Sequence, residues 1–330
     1  MKEVSIIIPS VKWESFTAHC VTTCAALFPE SKIILLLDDT TPVISSLTNL
    51  TVLYGHTGTI SLKRNLAVKS AITEFIAFID SDAFPQKDWL NSALQTLKTD
   101  MTVGMVGGPN ISPTAQEEER NFVGMATKSW LVAGKWNFYK SARSRARYCD
   151  NLPSCNLILR KELFEQLNGM NEELDVGEDT DFCARMIAAG YRVFFNPKVV
   201  VHHYDRKILD YFRQRMVRGA GVFLLLSGSS AQKRNPYTYL LLQPVFLLLF
   251  WLSLPLGLLW RPWFYIGATA SVLYALFILF ESHKHSTKLR YMPKVASLIL
   301  AGNILPGVGF ILKAFDLLPS LSSFYRNDNG

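Results

Sequence analysis

Three long stretches without a charged side chain occupy the C-terminal part of the sequence, and they limit its possible folds more than any other feature. They cover residues 235–260, 263–280 and 295–312. A transmembrane helix needs about 20 mostly apolar residues, so the first two stretches are predicted to span a membrane. Pro244 and Pro255 are expected to kink the first span. The third is predicted either to span or to re-enter, because glycine, asparagine and proline interrupt it at Gly302, Asn303, Pro306, Gly307 and Gly309. The alternative for all three is a buried helical core.

Basic residues flank the apolar stretches. One group precedes the first stretch and comprises Arg206, Lys207, Arg213, Arg215, Arg218, Lys233 and Arg234. Another follows the second stretch and comprises Lys284, Lys288, Arg290 and Lys294. The positive-inside rule predicts that both flanks are cytoplasmic and that the first two spans form a hairpin turning at Arg261 and Pro262. The net charge of +7 therefore indicates a membrane surface or phosphorylated ligands and not nucleic acid.

Upstream of the apolar stretches, short apolar strands alternate with more polar helices. The predicted strands cover residues 4–8, 32–37, 50–54, 75–79, 103–107, 154–159, 191–195 and 199–201. This alternation predicts βαβ units, and hence an α/β fold with a mostly parallel sheet. Residues 112–150 have weak periodicity and are predicted to form a loop and helices over the ligand-binding edge. No apolar leader precedes the first strand, so this part is expected to stay in the cytosol.

The pattern predicts four parts along the chain. These are an α/β domain over residues 1–205, an amphipathic interfacial helix and linker over 206–234, a membrane region with two to three transmembrane or re-entrant helices over 235–315, and a tail over 316–330. The five cysteines form no C-x-x-C pair and no metal-binding spacing. Cys20 and Cys24 lie one helical turn apart, so they are predicted to be reduced thiols in the core.

Acidic pairs follow strands or open helices at three places. They are Asp38 and Asp39, Asp80 and Asp82, and Glu178 and Asp179. Ligands of parallel α/β sheets bind at the carboxyl ends of the strands, and carboxylate oxygens are the ligands that Mg²⁺ and Mn²⁺ prefer. A divalent-cation site is therefore predicted at Asp80 and Asp82, with a solvated turn as the alternative. For Glu178 and Asp179, capping of a helix N-terminus is the alternative.

The order of these motifs resembles the family 2 glycosyltransferases, whose GT-A fold is a Rossmann-like nucleotide-sugar-binding domain. The resemblance covers about residues 3–222. It rests on the stretches SIIIP at residues 5–9, LDD at 37–39, KRN at 63–65, FIDSD at 78–82 and GEDTD at 177–181. Each stretch is short, but together, ahead of an apolar region, they identify the chain as similar to the membrane-anchored members of that family.

The resemblance implies a role for each candidate site residue. For the donor nucleotide it implies Pro9 with Asp38 or Asp39, helped by Arg64. Either Arg215 or Arg218 could contact the donor diphosphate or a lipid phosphate. For Mg²⁺ or Mn²⁺ it implies Asp82, with Asp80 approaching the ribose or the metal, and His202 or His203 completing the shell; His202 is taken as the candidate ligand. For catalysis it implies Asp179 as the general base, with Glu178 orienting the acceptor or the base.

The implied reaction moves one sugar from a nucleotide-sugar, expected to be a UDP-sugar, to a lipid-linked glycan or polyprenyl phosphate. A single base predicts inversion, and the expected location is the cytoplasmic face of the inner (plasma) membrane. The alternatives are a processive polysaccharide synthase and an inactive nucleotide-sugar-binding assembly protein. Processive synthases carry Q-x-x-R-W on an interfacial helix. Here Gln214 and Arg218 are one residue further apart and no tryptophan follows, and the intact acidic pairs argue against inactivity.

Overall fold

The structure is a computed structural model that describes residues 3–40, 43, 46–55, 57–174, 176–227 and 242–318. Contacts along the chain divide it into two compact units. The first contains the described residues up to Pro113 together with Phe138–Tyr204, and the second contains Thr114–Asn137 and the described residues from Asp205 onward. Residues 114–137, which lie within the predicted domain over 1–205, group by their contacts with the second unit.

Eleven strands lie in the described residues. In chain order they are β1 (Val4–Ser10), β2 (Lys32–Leu37), β3 (Leu50–Leu53), β4 (Phe75–Ile79), β5 (Ala83–Pro85), β6 (Val103–Gly107), β7 (Asn110–Ile111), β8 (Arg147–Cys149), β9 (Asn156–Arg160), β10 (Arg192–Phe195) and β11 (Val201–His203). Eight form one sheet in the order β3-β2-β1-β4-β9-β6-β10-β8. Strands β3, β2, β1 and β4 are parallel, whereas β9 runs antiparallel to both of its neighbours. The predicted α/β fold with a mostly parallel sheet is confirmed.

The strands of the large sheet are apolar because both of its faces are covered. Every residue of β1 and of β4 is buried. Side chains alternate along a strand, so Ile6 and Ile8 join the apolar cluster on one face and Ile7 joins the cluster on the other. Each such side chain stabilises the fold by about 1.5–3 kcal/mol relative to an exposed position. Cys20 and Cys24 are buried free thiols, as predicted.

Eleven α-helices accompany the strands in the described residues. They are α1 (Ser15–Leu27), α2 (Ile60–Lys69), α3 (Trp89–Thr99), α4 (Glu118–Thr127), α5 (Trp130–Ala133), α6 (Lys161–Gln166), α7 (Glu178–Ala188), α8 (Ile208–Ser227), α9 (Gln243–Ser253), α10 (Arg261–His285) and α11 (Met292–Ala314). Two helix starts position functional residues. Thr59 caps α2 by accepting a hydrogen bond from the Leu62 N–H at 3.2 Å. Gly177 has a φ of 87°, which turns the chain into α7 at Glu178.

A second, small sheet has the order β5-β11-β7. Strand β11 pairs antiparallel with β5, so that His203 lies opposite Ala83 and His202 opposite Phe84. The Tyr204 N–H donates to the Asp82 carbonyl at 3.0 Å and extends this pairing by one step. The sequence predicts neither β5 nor β7, because both are too short to show a periodic pattern. The sheet decides which histidine faces Asp82.

Two helical stretches in the second unit are long and apolar enough to cross a membrane, and they belong to the second and third apolar stretches. They are Arg261–His285, with 25 residues, and Leu289–Ala314, with 26. The first stretch, predicted as a span, contains only the 11-residue helix α9 and a 3₁₀ turn at Leu254–Leu258 within the described residues. Pro244 lies in the first turn of α9, where a missing N–H is tolerated, and Pro255 lies in the 3₁₀ turn. Residues 235–241 lie outside the described residues, as do Lys233 and Arg234.

Helix α8 packs closely against α11 through glycines. A Cβ at Gly219 would collide with the Pro306 carbonyl, and one at Gly309 would collide with the Met216 carbonyl. The third apolar stretch forms one helix despite Pro306 because α8 supplies the missing hydrogen bond. Residue 306 has no N–H to give to the Gly302 carbonyl one turn earlier, and Arg215 donates to that carbonyl from Nε at 2.9 Å and from Nη2 at 2.6 Å.

Replacing Arg215 with methionine is expected to destabilise the folded chain by about 1–3 kcal/mol, because the Gly302 carbonyl then stays buried without a donor. Thermal unfolding in detergent measures the loss. Arg218→Met is the control, since Arg218 is exposed on the same helix. Pro306→Ala restores an N–H at position 306, so the double variant should recover part of the loss. If Arg215→Met costs the same stability with and without Pro306→Ala, this account is contradicted.

Candidate active site

The carboxyl ends of three adjacent strands form the floor of the candidate site. The pairing places Ser10 at the end of β1 beside Leu37 at the end of β2, and Ile7 of β1 beside Phe78 of β4. Asp38 directly follows β2, and Asp80 directly follows β4. The two predicted site residues therefore lie at the same edge of the sheet, on either side of β1. Pro9 is buried in β1, and the Asp39 N–H donates to the Val11 carbonyl at 3.1 Å.

Lys63 of helix α2 contacts Asp38, a member of the first acidic pair. Lys63 Nζ lies 2.5 Å from Asp38 Oδ1 and donates to the Ser10 carbonyl at 3.3 Å. Both side chains are largely buried, with 5% and 12% of their surfaces exposed. The ion pair therefore holds the Asp38 carboxylate in place and joins the ends of β1 and β2.

Arg64, the next residue of α2, bridges the other two acidic pairs. Its Nη2 donates to Asp80 Oδ1 at 2.8 Å, and its Nη1 donates to Glu178 Oε1 at 2.9 Å. The Arg64 side chain is only 2% exposed. Burial by itself would lower the pKa of Arg64, but the carboxylates of Asp80 and Glu178 outweigh it and the pKa is raised. The structure thus places Arg64 between two acidic residues that lie 98 positions apart in the sequence (178 minus 80).

Asn65, the third residue of the motif at 63–65, holds the loop that leads into α7 through hydrogen bonds. Its Nδ2 donates to the Met170 carbonyl and to Glu172 Oε1, both at 2.8 Å, and its Oδ1 accepts from the Met170 N–H at 2.9 Å. Successive side chains point about 100° apart around a helix, so three neighbours can reach three separate parts of the site.

Glu178 and Asp179 have different environments although they are neighbours. Glu178 is buried, accepts from Arg64, and lies 3.3 Å from Ser154 Oγ. Burial and, second, the charge of Asp179 raise the pKa of Glu178 to about 7. Asp179 is partly exposed, and its Oδ1 accepts from the Thr180 N–H at 2.7 Å. Asp179 is therefore the member of the pair that a ligand in solution can reach.

His203 lies against the Asp80 and Asp82 carboxylates. Its Nε2 is 3.3 Å from Asp82 Oδ1 and 3.7 Å from Asp80 Oδ2. Its Nδ1 is 3.0 Å from the Tyr204 carbonyl, so the proton of the neutral imidazole lies on Nδ1 and Nε2 is the nitrogen that faces the carboxylates. Burial lowers the pKa of His203, but Asp82 and then Asp80 raise it, and the net shift is upward. The imidazole and the two carboxylates together are ligand types that could hold a divalent cation.

The structure contradicts the choice of His202 as the histidine of this group. His202 stacks on the Phe84 ring, with centroids 5.1 Å apart and planes at 18°. Its Nε2 lies 3.0 Å from Gln86 Nε2. Neighbouring side chains of a strand point to opposite faces, so only one of the two histidines can face Asp82. The pairing of β11 with β5 selects His203.

Cys155 also lies at this group, although cysteine spacing predicts no metal ligand. One ligand atom each from Asp80, Cys155 and His203 lie within 4.8 Å of one another. Burial raises the pKa of the Cys155 thiol well above its ordinary value. The thiol is a soft ligand, whereas the carboxylates and the imidazole are harder, so the group contains ligands of two kinds.

The remaining predicted residue is Arg218, which lies at an exposed position of α8 in the second unit. The sequence assigned no role to Lys63, Ser154 or Cys155. Lys63 could have been found from its place beside Arg64 in the motif at residues 63–65. Ser154 and Cys155 carry no motif, and only the pairing of β4 with β9 brings them to the site.

A family model described as glycosyl transferase family group 2 matches residues 75–282, which is more than half of the chain. The matched range includes Asp80, Asp82, Cys155, Glu178, Asp179 and His203.

Curated relatives match part of the chain. A pre-mycofactocin glycosyltransferase of Mycobacterium tuberculosis is 30% identical over 47% of this chain and 32% of its own length. The succinoglycan biosynthesis protein ExoM of Rhizobium meliloti is 28% identical over 46% of this chain and 47% of its own. The O-antigen chain rhamnosyltransferase RfbN of Salmonella typhimurium is 26% identical over 61% and 66%. The chain thus spans about a third to a half of the length of the first two.

Among solved structures, a mannosyltransferase from Pyrobaculum calidifontis, in complex with GDP-Man and Mn²⁺, has a similar fold. The TM-score is 0.62 at 18% identity, covering 95% of this chain and 87% of that one. The match supports the GT-A fold.

Proposed function

Because this chain belongs to glycosyl transferase family group 2, and is therefore a glycosyltransferase, we propose that it transfers one sugar from a nucleoside diphosphate sugar to an acceptor hydroxyl, with inversion and with a divalent cation. The proposal rests on the contacts that hold residues of the three acidic pairs at one edge of the sheet. Lys63 holds Asp38, and Arg64 holds Asp80 together with Glu178. His203 lies beside Asp80 and Asp82.

Asp82, Asp80 and His203 are the residues that would hold Mg²⁺ or Mn²⁺. Their donor set fits, since two partly exposed carboxylates and an imidazole with its lone pair on Nε2 are ordinary ligands of such cations. When bound, the cation neutralises charge on the leaving diphosphate. Arg64 donates to Oδ1 of Asp80, so Oδ2, which lies nearer to His203, would be the oxygen that binds the cation.

Asp179 is proposed as the base. Its carboxylate accepts the proton of the acceptor hydroxyl while the bond from that oxygen to the anomeric carbon forms and the bond from the anomeric carbon to the phosphate oxygen breaks. The nucleoside diphosphate leaves from the opposite face, which inverts the configuration. Glu178, fixed by Arg64, orients the start of α7 and thereby Asp179.

The acceptor is proposed to be a lipid-linked glycan or a polyprenyl phosphate at the cytoplasmic face of the inner membrane. A glycan would react through a hydroxyl that Asp179 deprotonates, whereas a polyprenyl phosphate would react through an ionised phosphate oxygen and would need no base. Two helical stretches of sufficient length, Arg261–His285 and Leu289–Ala314, support a membrane location. Lys288 lies in the segment between them, and Arg290 and Lys294 lie at the start of the second, which favours the cytoplasm for that turn. A first unit on the cytoplasmic face then requires the first apolar stretch to cross the membrane as well. Relatives named for O-antigen and succinoglycan synthesis support a cell-envelope glycan.

Nucleotide binding tests the proposal most directly. A panel of UDP, GDP and other nucleoside diphosphates is titrated calorimetrically into detergent-purified protein with and without Mn²⁺. One nucleotide, expected to be UDP, should bind in a metal-dependent manner. His203→Ala should weaken that binding at least about 10-fold, because outer-shell changes alone cost that much at metal sites. His202→Ala is the matched control and should keep the affinity.

Equal loss in both histidine variants would contradict the assignment of His203, and metal-independent binding would contradict the cation site. The length of the product separates the alternatives. One added sugar per acceptor supports single transfer, whereas a long polymer supports a processive synthase. Binding of a nucleotide-sugar without any transfer, to any acceptor fraction of the membrane, supports the inactive assembly protein.

A further inference from the structure

We infer that Cys155 is an additional ligand at the cation site and gives it affinity for soft divalent cations, with Zn²⁺ seated among Asp80, Cys155 and His203. The inference deepens the proposed function, since it rests on the same cation site. It goes further by predicting that the site discriminates poorly against Zn²⁺, and that Zn²⁺ competes with the Mg²⁺ or Mn²⁺ that the transfer uses.

Strand pairing places Cys155 at the site. Strands β4 and β9 are antiparallel, and Ile79 pairs with Asn156. One step beyond this pair, the same register sets Asp80 opposite Cys155. The position does not depend on a long loop, because Cys155 comes immediately before the first residue of β9.

The neighbour of Cys155 is held firmly. The buried side chain of Asn156 donates from Nδ2 to the Val199 carbonyl at 2.9 Å, and its Oδ1 accepts from Trp89 Nε1 at 2.8 Å. These bonds leave little freedom for the backbone at residue 155. The backbone of Cys155 is therefore held beside Asp80 and His203, and the three ligand atoms lie within 4.8 Å of one another.

The ligand types favour zinc over magnesium. A tetrahedral Zn²⁺ bound by sulfur, nitrogen and oxygen at its usual bond lengths holds its ligand atoms about 3.5 Å apart, so small side-chain movements suffice to close this group. Thiolate sulfur adds affinity for Zn²⁺, Co²⁺ and Cd²⁺, and almost none for Mg²⁺. Binding replaces the thiol proton, which passes to solvent, by the bond from sulfur to the metal. Asp80 and His203 would then be unable to bind the cation of the transfer.

Cobalt spectroscopy tests the inference without an activity assay. Co²⁺ titrated into the purified full chain should produce a near-ultraviolet charge-transfer band that reports a thiolate ligand. Cys155→Ser should lose the band and should bind Zn²⁺ at least about 10-fold more weakly. Cys149→Ser is the matched control, because Cys149 is another partly buried free thiol and is not in the group. That variant should keep the band.

The outcomes separate this inference from the proposed function. If Co²⁺ binds to the unaltered chain without the band, Cys155 is not a ligand and the inference is overturned, while the cation site stands. A band that survives in Cys155→Ser also overturns it. If neither Co²⁺ nor Mn²⁺ binds at all, the cation site itself is wrong. The inference is supported if Cys155→Ser loses the band but still binds Co²⁺, while Cys149→Ser keeps the band.

Discussion

Asp179→Asn is expected to lower kcat about 100- to 10,000-fold, the usual contribution of a positioned general base. Asparagine has the size of aspartate and can still accept a hydrogen bond from the Thr180 N–H, so the start of α7 should keep its structure. It cannot take a proton from the acceptor hydroxyl. Affinity for the nucleoside diphosphate should therefore be unchanged. Steady-state transfer rates, combined with calorimetric nucleotide binding, measure the two effects separately.

The control for this prediction lies on the same helix. Asp181 is buried and accepts from Arg185 Nε at 2.8 Å, four residues further along. Asp181→Asn weakens that ion pair and should lower thermal stability, but kcat measured well below the unfolding temperature should stay within a few-fold of the original. Wild-type turnover by Asp179→Asn would assign the base to another residue.

Arg64→Met is expected to destabilise the first unit by about 3–5 kcal/mol, the usual cost of removing one partner of a buried ion pair. The cost comes mainly from Glu178, whose side chain is 10% exposed and would lose its cation, and less from Asp80, which is 32% exposed. The charge of Arg64 also opposes the rise in the pKa of Glu178. Its removal should raise that pKa further and leave the carboxyl protonated at neutral pH. Denaturant unfolding measures the stability.

Two variants make the Arg64 result specific. In Arg64→Met combined with Glu178→Gln, the buried residue is neutral without having to take up a proton at neutral pH, so most of the lost stability should return although transfer stays low. Lys98→Met removes the exposed pair with Glu3, whose atoms lie 2.7 Å apart, and should cost less than about 1 kcal/mol. An equal loss in Lys98→Met and Arg64→Met would contradict the role given to burial.

The histidine pair shows where prediction from the sequence ends. A strand ending in two histidines is visible in the sequence, and an acidic motif elsewhere suggests that one of them binds a metal. Which of the two lies beside that motif depends on how β11 pairs with β5, and β5 is a three-residue strand without a periodic signal. A shift of one residue in that pairing would exchange the roles of His202 and His203.

Arg64 and Arg218 illustrate the same limit for charged residues. Both are arginines near the start or middle of helices, and both were expected to contact the donor. The structure buries Arg64 between two carboxylates and leaves Arg218 exposed on α8. A motif identifies a charged residue of importance, but only the packing around the side chain shows whether that charge meets a ligand or another residue of the protein.

The sequence by itself determined the α/β fold, the family, the strand ends that carry Asp38 and Asp80, and the apolar C-terminal region. These follow from local patterns, because neighbouring residues along the chain show both the alternation of strands with helices and the stretches without charge. Only the tertiary structure decided that Arg64 joins Asp80 to Glu178, that His203 and not His202 faces Asp82, and that Cys155 lies at the same place. The physical reason is that these contacts depend on strand register and on burial, and both arise between segments that are far apart in the chain.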